Sequence, residues 1–376
     1  MSYLRPKTVY FFYYAALACL YPFMTLYYQE RGMTATQIGI LSGVVPLVTW
    51  LSAPLWGGLA DARNRHRAVL LLAVGGLWIA AAAMSFATTF IALLATVIAY
   101  AVFNGPIVPM VDNAVMALLG ERKADYSRVR VWGGYSWGLA ALALAPMLER
   151  AGLQWAFYGF LFFMAINFVA SARLPMNVVE GARHAYTAGL GILLRNGRFL
   201  LLLLVALVFG ISMGGQFSYM FLYVDELGGS RALMALSVTA STVGEIPFWY
   251  LGGWLLRRVG TKWMIVLALS VTAVRNFWLG VMGAPWLVLP ITALEGLSFA
   301  VLFSAGVSDV DAAAPSGLGA TAQGLFSGMM LGLGSALGGF IGGPIGAAAG
   351  YAQFFTLLGW LSLATLIVFV MARRGR

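Results

Sequence analysis

Long apolar stretches alternate with short polar turns along the whole chain, and each is close to the ~20 residues that a helix needs to cross a bilayer. They fall at roughly 8–28, 35–59, 68–87, 90–118, 127–147 and 153–172, then at roughly 199–223, 231–255, 263–282, 286–308, 318–344 and 351–372. The pattern predicts an all-α membrane protein with twelve transmembrane helices. Two sets of six make two pseudo-symmetric bundles, 1–173 and 198–376, joined by a polar linker over 174–197.

The halves also share residues. Met24, Leu26, Tyr27, Glu30 and Gly32 recur 196 positions later as Met220, Leu222, Tyr223, Glu226 and Gly228, and the register holds to Gly57 and Gly253. Duplicated apolar halves are the mark of a rocking transporter, in which the solute site is expected where the repeats meet.

Composition supports the same class. Hydrophobic residues make up 61% of the 376 and charged ones only 10%, far from a soluble domain. Nineteen of the 23 lysines and arginines gather on one side of the predicted spans. They are Arg5, Lys7, Arg63, Arg65, Arg67, Arg122, Lys123, Arg128, Arg130, Arg173, Arg183, Arg195, Arg198, Arg257, Arg258, Lys262, Arg373, Arg374 and Arg376. That bias predicts a multi-pass protein of the plasma (inner) membrane with both termini in the cytoplasm. The net charge of +10 then reflects orientation and contact with membrane lipids, not nucleic acid. The first span follows Arg5 and Lys7 without a small-residue cleavage site and reads as retained. The linker, with Glu180, Arg183, His184, Asn196 and the apolar run Leu190–Leu194, reads as cytoplasmic with an amphipathic piece on the membrane surface. Cys19 is the single cysteine, which excludes an internal disulfide and a cysteine metal cluster. No nucleophile–base constellation or metal spacing points to an enzyme or a cofactor, and the chain is expected to act as a monomer.

Ionisable residues inside apolar spans cost about 2.5–3.5 kcal/mol each and are functional candidates by default. Here they are Asp112, Glu245, Arg275 and Glu295, with Arg130 just inside a span end. Asp112 and Arg130 each lie nine residues from Glu121, the centre of the loop between spans four and five, so an antiparallel hairpin sets them level. Arg275 and Glu295 each lie ten from Pro285 and repeat the arrangement on spans nine and ten. Both pairs have a plainer reading as structural staples. Glu245 stands alone on span eight, two residues before Pro247, where a bend can open a polar notch. Removal from water favours the protonated form of such a carboxylate, so Glu245, then Glu295, are the proton-carrier candidates. Both histidines, His66 and His184, fall outside the spans. Pro106 and Pro109 flank a bend that presents Asp112 and Asn113, whereas Asp309 and Asp311 end span ten at the cytoplasm and read as solvated loop charges, with a gating role as the alternative.

The loop Gly57-Gly58-Leu59-Ala60-Asp61-Ala62-Arg63-Asn64-Arg65-His66-Arg67 resembles the signature of the major facilitator superfamily, with Ala62 and Asn64 departing from a usual base and a usual glycine. Gly57 is expected to allow close helix approach. Asp61 is expected to cap or pair with a base on a neighbouring helix, with Arg65 and Arg67 completing the loop. Its second-half echo keeps Gly253, Arg258, Gly260 and Lys262 but has Arg257 in place of the aspartate. Tyr126-Ser127-Arg128-Val129-Arg130-Val131-Trp132-Gly133-Gly134-Tyr135-Ser136-Trp137 resembles the start of span five in the lactose-permease and phenylpropionate-transporter families. The resemblance implies that Arg130 binds solute together with the acid 18 positions upstream, Asp112, and that Trp137 stacks on a ring; as a plain reading Trp137 packs helices. Gly244-Glu245-Ile246-Pro247 and Ala322-Gln323-Gly324 are similar to the second family, and Val274-Arg275 to the first. Glu295 stands where both families usually show histidine, and Ser298 stands where the permease has its proton carboxylate.

The expectation is a proton-coupled symporter importing a small organic solute by alternating access. Asp112, Asn113, Arg130 and Trp137 would hold the solute, best a sugar or glycoside, while Glu245, Glu295 and Arg275 handle the proton. Aromatic-acid or nucleoside-like uptake is the alternative. Proton-driven drug efflux is disfavoured because Gly133–Ala145 lacks an internal Gly-Pro. A non-transporting sensor or scaffold would not need level charge pairs in both halves.

Overall fold

A computed structural model describes residues 3–120, 122, 126–176, 190–315 and 318–373. The chain divides into two compact units, Met1–Gly181 with Ser230–Thr239, and Ala182–Gly229 with Ala240–Arg376. Among the described residues eleven helices are long and apolar enough to cross a membrane.

Unit 1 opens with α1 (Leu4–Leu20), which passes through a 3-10 turn at Pro22 into α2 (Met24–Glu30). There follow α3 (Ala35–Arg63), α4 (His66–Phe86), α5 (Phe90–Asn104), α6 (Ile107–Leu119), α7 (Tyr126–Ala151) and α8 (Gln154–Ala172). Local chemistry sets the ends. Thr34 and Gln37 close a reciprocal capping box on α3, and the Thr89 side chain accepts from the Ala92 N–H to start α5. The break between α5 and α6 is the Gly105-Pro106 step, where proline has no N–H to continue the ladder. α1 packs on α7 and α8, and α5 on α3 and α4. Ser230–Thr239 join this unit through the Glu30–Arg231 ion pair, the Ala232 N–H donating to Glu149 at 3.0 Å, and Thr239 donating to the Gly138 carbonyl at 3.0 Å.

Unit 2 contains α9 (Leu190–Leu193), α10 (Gly197–Glu226), α11 (Arg231–Gly280, from Ala240 on), α12 (Val288–Ala313), α13 (Gly319–Ser327), α14 (Ser335–Ala349) and α15 (Tyr351–Ala372). The seven residues Gly328–Gly334 between α13 and α14 form a π-helix. α11 runs for 50 residues but bends at Gly260, where φ is 78°. At ~1.5 Å per residue that length is enough for two bilayer crossings, so α11 carries expected spans eight and nine. Of the linker, 177–189 lie outside the described residues; within the apolar run, Leu193 is buried in the unit 2 core beside Phe199 and Phe326, while Ile192 and Leu194 are exposed.

The duplicated residues perform the same tasks in both halves. Tyr27 donates its hydroxyl to the Met84 and Ser85 carbonyls at 3.2 and 3.0 Å, and Tyr223 donates to the Met282 carbonyl at 3.0 Å. Gly32 and Gly228 both have φ of 76°, and Asn64, which stands 196 positions before Gly260, shares its positive φ at 50°. Asparagine is the non-glycine residue that tolerates this region best, which explains how it replaces the usual glycine in the loop.

Small residues set the tightest helix approaches, but not at Gly57. A Cβ there would meet nothing within 4 Å, so the expected close approach is corrected. One close crossing is between α10 and α14: a Cβ on Gly214 would lie 2.2 Å from the Ser335 carbonyl oxygen, and one on Gly338 2.2 Å from that of Ile211. Backbone on the far side cannot swing away as a side chain can. Gly214→Leu is therefore expected to cost at least about 1–3 kcal/mol and to lower the thermal midpoint of the purified protein, whereas Gly58→Ala, facing open space, leaves it unchanged. Equal midpoints for the two variants would remove this crossing from the account.

Candidate functional site

On α1 the tyrosines Tyr10, Tyr13 and Tyr14 follow the i, i+3, i+4 spacing and so share one face. α6 brings Asp112 to that face and α7 brings Arg130. The Tyr10 hydroxyl donates to Asp112 Oδ1, and Asp112 also takes the Tyr126 hydroxyl. Arg130 Nη2 donates to the Tyr14 oxygen, and its guanidinium lies 5.1 Å from the Tyr10 ring and 4.4 Å from the Tyr14 ring. The two charges also attract each other directly. Tyr13 donates to Asn104 Oδ1 at 2.7 Å, at the point where α5 gives way to α6. Gly133 leaves room for this arrangement, since a Cβ would fall 2.6 Å from the Tyr14 ring and 3.0 Å from Arg130 Nη1.

Chemically this is a half-buried acid and base wrapped in phenol rings and hydroxyls. The planar fork of arginine offers paired donors, and aromatic faces hold both the cation and any ring laid against them. Trp137, seven residues after Arg130 and hence on the same helix face, is half-buried; Asn113, one step of about 100° round α6 from Asp112, is exposed. The tyrosines and Asn104 are what the sequence reading missed. Their signal was the Tyr10, Tyr13, Tyr14 spacing on a helix with little other polarity.

In unit 2, Arg275 Nη1 lies 3.6 Å from Glu295 Oε2. Only 1% of the arginine side chain is exposed, and among the described residues its Nε has no hydrogen-bond partner. Glu245 does not stand alone as expected: the Trp249 indole N–H, one turn along, donates to it at 2.6 Å. Its backbone lies at a tight crossing of α11 and α12. A Cβ on Gly244 would be 2.0 Å from the Ala293 carbonyl, and one on Gly296 would be 2.6 Å from the Glu245 nitrogen. Glu295 thus precedes the glycine that meets Glu245, which places the backbone of both residues at one helix contact. Behind them runs a buried amide chain that the sequence reading also missed. Gln216 donates to Asn276 at 3.1 Å, and Asn276 donates to Ser212 at 2.7 Å.

In the loop, Asp61 pairs with His66 at the head of α4, Oδ1 to Nε2 2.8 Å, while Arg67 donates to the Leu174 carbonyl at 3.0 Å and Arg65 is exposed. Asp309 is not a solvated loop charge. It is fully buried, pairs with Arg198 and Arg373, and accepts from the Thr261 hydroxyl at 3.2 Å; Asp311 is exposed. Three helix ends and the α11 bend converge there, so the carboxylate is shielded in a way that span boundaries do not reveal. Among the described residues no group of three or more His, Cys, Asp or Glu is placed to hold a metal.

Residues 3–357 match the family model described as the MFS_1 like family. The maltose permease of Geobacillus stearothermophilus is 26% identical over 85% of this chain and 81% of its own length. The multidrug resistance protein MdtG of Salmonella typhi is 24% identical over 77% and 75%. Among solved structures, a variant of the nucleoside transporter NupG superposes with a TM-score of 0.87 at 17% identity, covering 99% of this chain and 100% of that one, which shows a shared fold. With its many apolar helices, its two duplicated halves and a family match across nearly its whole length, the chain belongs to the MFS_1-like family and is a multi-pass membrane transporter of the major facilitator superfamily.

Proposed function

We propose that this transporter is a proton-coupled symporter that imports a sugar or glycoside by alternating access. The observation that carries the reading is the Asp112–Arg130 set bound into the Tyr10 and Tyr14 rings. Sugar hydroxyls both donate and accept. Asp112 supplies acceptors, Arg130 supplies donors, and the ring faces suit the apolar face of a pyranose. Charges that compensate each other favour a neutral polyol over an acid. The relative whose name is maltose permease supports the same solute class. Trp137 would complete the stack, with Asn113 and Asn104 as further hydrogen-bonding groups.

Proton handling falls to unit 2. Glu245 and Glu295 belong to residues that meet at one helix contact, and Arg275 Nη1 lies 3.6 Å from the Glu295 carboxylate, so movement of the arginine would change the surroundings of that carboxylate. The indole N–H on Glu245 holds one carboxylate oxygen in place. Asp61, held by His66, with Gly57, Arg65 and Arg67, forms the loop that gates the conformational change. The protein works as a monomer in the inner membrane with both termini in the cytoplasm. A second reading, uptake of an aromatic acid or nucleoside-like solute, is favoured by the same tyrosine rings, which would stack a planar ring beside a guanidinium. A thermal-shift screen of sugars, nucleosides and aromatic acids on the purified protein separates the two.

Reconstituted protein is expected to accumulate solute only under an inward proton gradient, and a protonophore abolishes this; gradient-independent uptake would sink the coupling. Tyr14→Phe removes a hydrogen bond to a charged group and is expected to weaken solute binding about ten- to a hundredfold, while Arg130→Lys abolishes it with expression intact. Near-normal calorimetric affinity in either variant takes the pair out of the site. Glu245→Gln keeps an acceptor for Trp249 but cannot release a proton. Uptake should lose its pH dependence while solute exchange continues, and an unchanged pH profile would pass the role to Glu295.

A further inference from the structure

The corner of unit 2 where α10 begins, α11 bends, α12 ends and α15 stops holds more charge than the transport reading uses. Asp309, fully buried, accepts from Arg198 and Thr261 on one oxygen and from Arg373 on the other. Lys262, the neighbour of Thr261, is half-buried and donates to the Arg373 carbonyl at 2.6 Å, with its ammonium 5.9 Å from the Trp263 ring. Asp309 takes both arginines and Lys262 stands beside them without an acid of its own, so among these four described groups the charge left over is +2. Asp311 is the other acid on this stretch of α12 and is exposed. Asn196 fixes the start of α10 here by accepting from the Arg198 N–H at 3.0 Å and donating to the Ala313 carbonyl at 3.1 Å, so the positive end of a 30-residue helix faces the same corner.

A partly dehydrated excess of positive charge seeks an anion, and the forked donors of arginine with a lysine beside them suit tetrahedral phosphate oxygens. The level of the corner points the same way. Trp254 and Trp263 are half or more exposed on either side of the Gly260 bend, with Arg258 5.5 Å from the Trp254 ring. Tryptophans paired with bases are the signature of the headgroup layer. Arg198, about a third exposed, gives an incoming oxygen a point of entry beside Lys262.

We propose that Arg198, Lys262 and Arg373 form a binding site for a phosphate-bearing anion, supplied by an acidic phospholipid headgroup or by free phosphate. The site is separate from Asp112–Arg130 and from Glu245–Glu295, and its test does not involve transport. The full-length protein, stripped of lipid in a neutral detergent, is melted with phosphatidylglycerol, with phosphatidylcholine, or with inorganic phosphate. Phosphatidylglycerol is expected to raise the midpoint clearly more than phosphatidylcholine, which identifies a lipid source. A comparable rise with inorganic phosphate alone identifies a soluble one. Lys262→Gln is expected to weaken the anion effect about tenfold while Lys262→Arg keeps it. Overlapping melts for both lipids with no effect of phosphate would overturn the site, as would a Lys262→Gln protein that responds like wild type.

Discussion

Charge in an apolar medium has to be answered within the protein, and most of the chemistry of this chain follows from that requirement. A guanidinium or carboxylate inside a span costs about 2.5–3.5 kcal/mol on insertion scales, so each is placed where a partner meets it. Arg130 is surrounded by two tyrosine rings, a phenol oxygen and the field of Asp112; Glu245 has the indole of Trp249. Asp309 carries two arginines and a threonine. Arg275 is the exception in degree. Its one carboxylate sits at 3.6 Å, and neither its Nε nor its Nη1 makes a hydrogen bond among the described residues.

The two units answer the requirement differently. Unit 1 compensates its acid and base with hydroxyls and aromatic faces, groups that can also accept a polar solute. Unit 2 seals its arginine away from solvent and carries its two glutamates on helices that cross so closely that glycines form both sides.

The repeat is likewise chemical and not only a matter of span count. A tyrosine ties the end of the first span of each half to the C-terminal end of the third, and a glycine two residues past the helix ends it with a positive φ. At the bend between the second and third spans, Asn64 in one half and Gly260 in the other take the same hand of backbone. The loop of the first half adds an aspartate held by histidine, whereas the second half has Arg257 there and reaches a neighbouring acid, Asp309, through the Thr261 hydroxyl.

Span lengths, the duplicated halves and the charged positions were all legible in the amino-acid order, because hydrophobic period, turn residues and rare intramembrane charges are one-dimensional signals. The level pairing of Arg275 with Glu295 followed from counting residues either side of a hairpin loop. Lateral neighbours did not follow. That Tyr10 and Tyr14 enclose Arg130, that Trp249 meets Glu245, that Gly214 rather than Gly57 lies at a tight crossing and that Asp309 is buried each depend on which helix lies beside which, and at what rotation. Amphipathic period is nearly silent in helices that are apolar all round, so the sequence by itself determined what crosses the membrane and at what depth. Only the tertiary packing decided which side chains share a face.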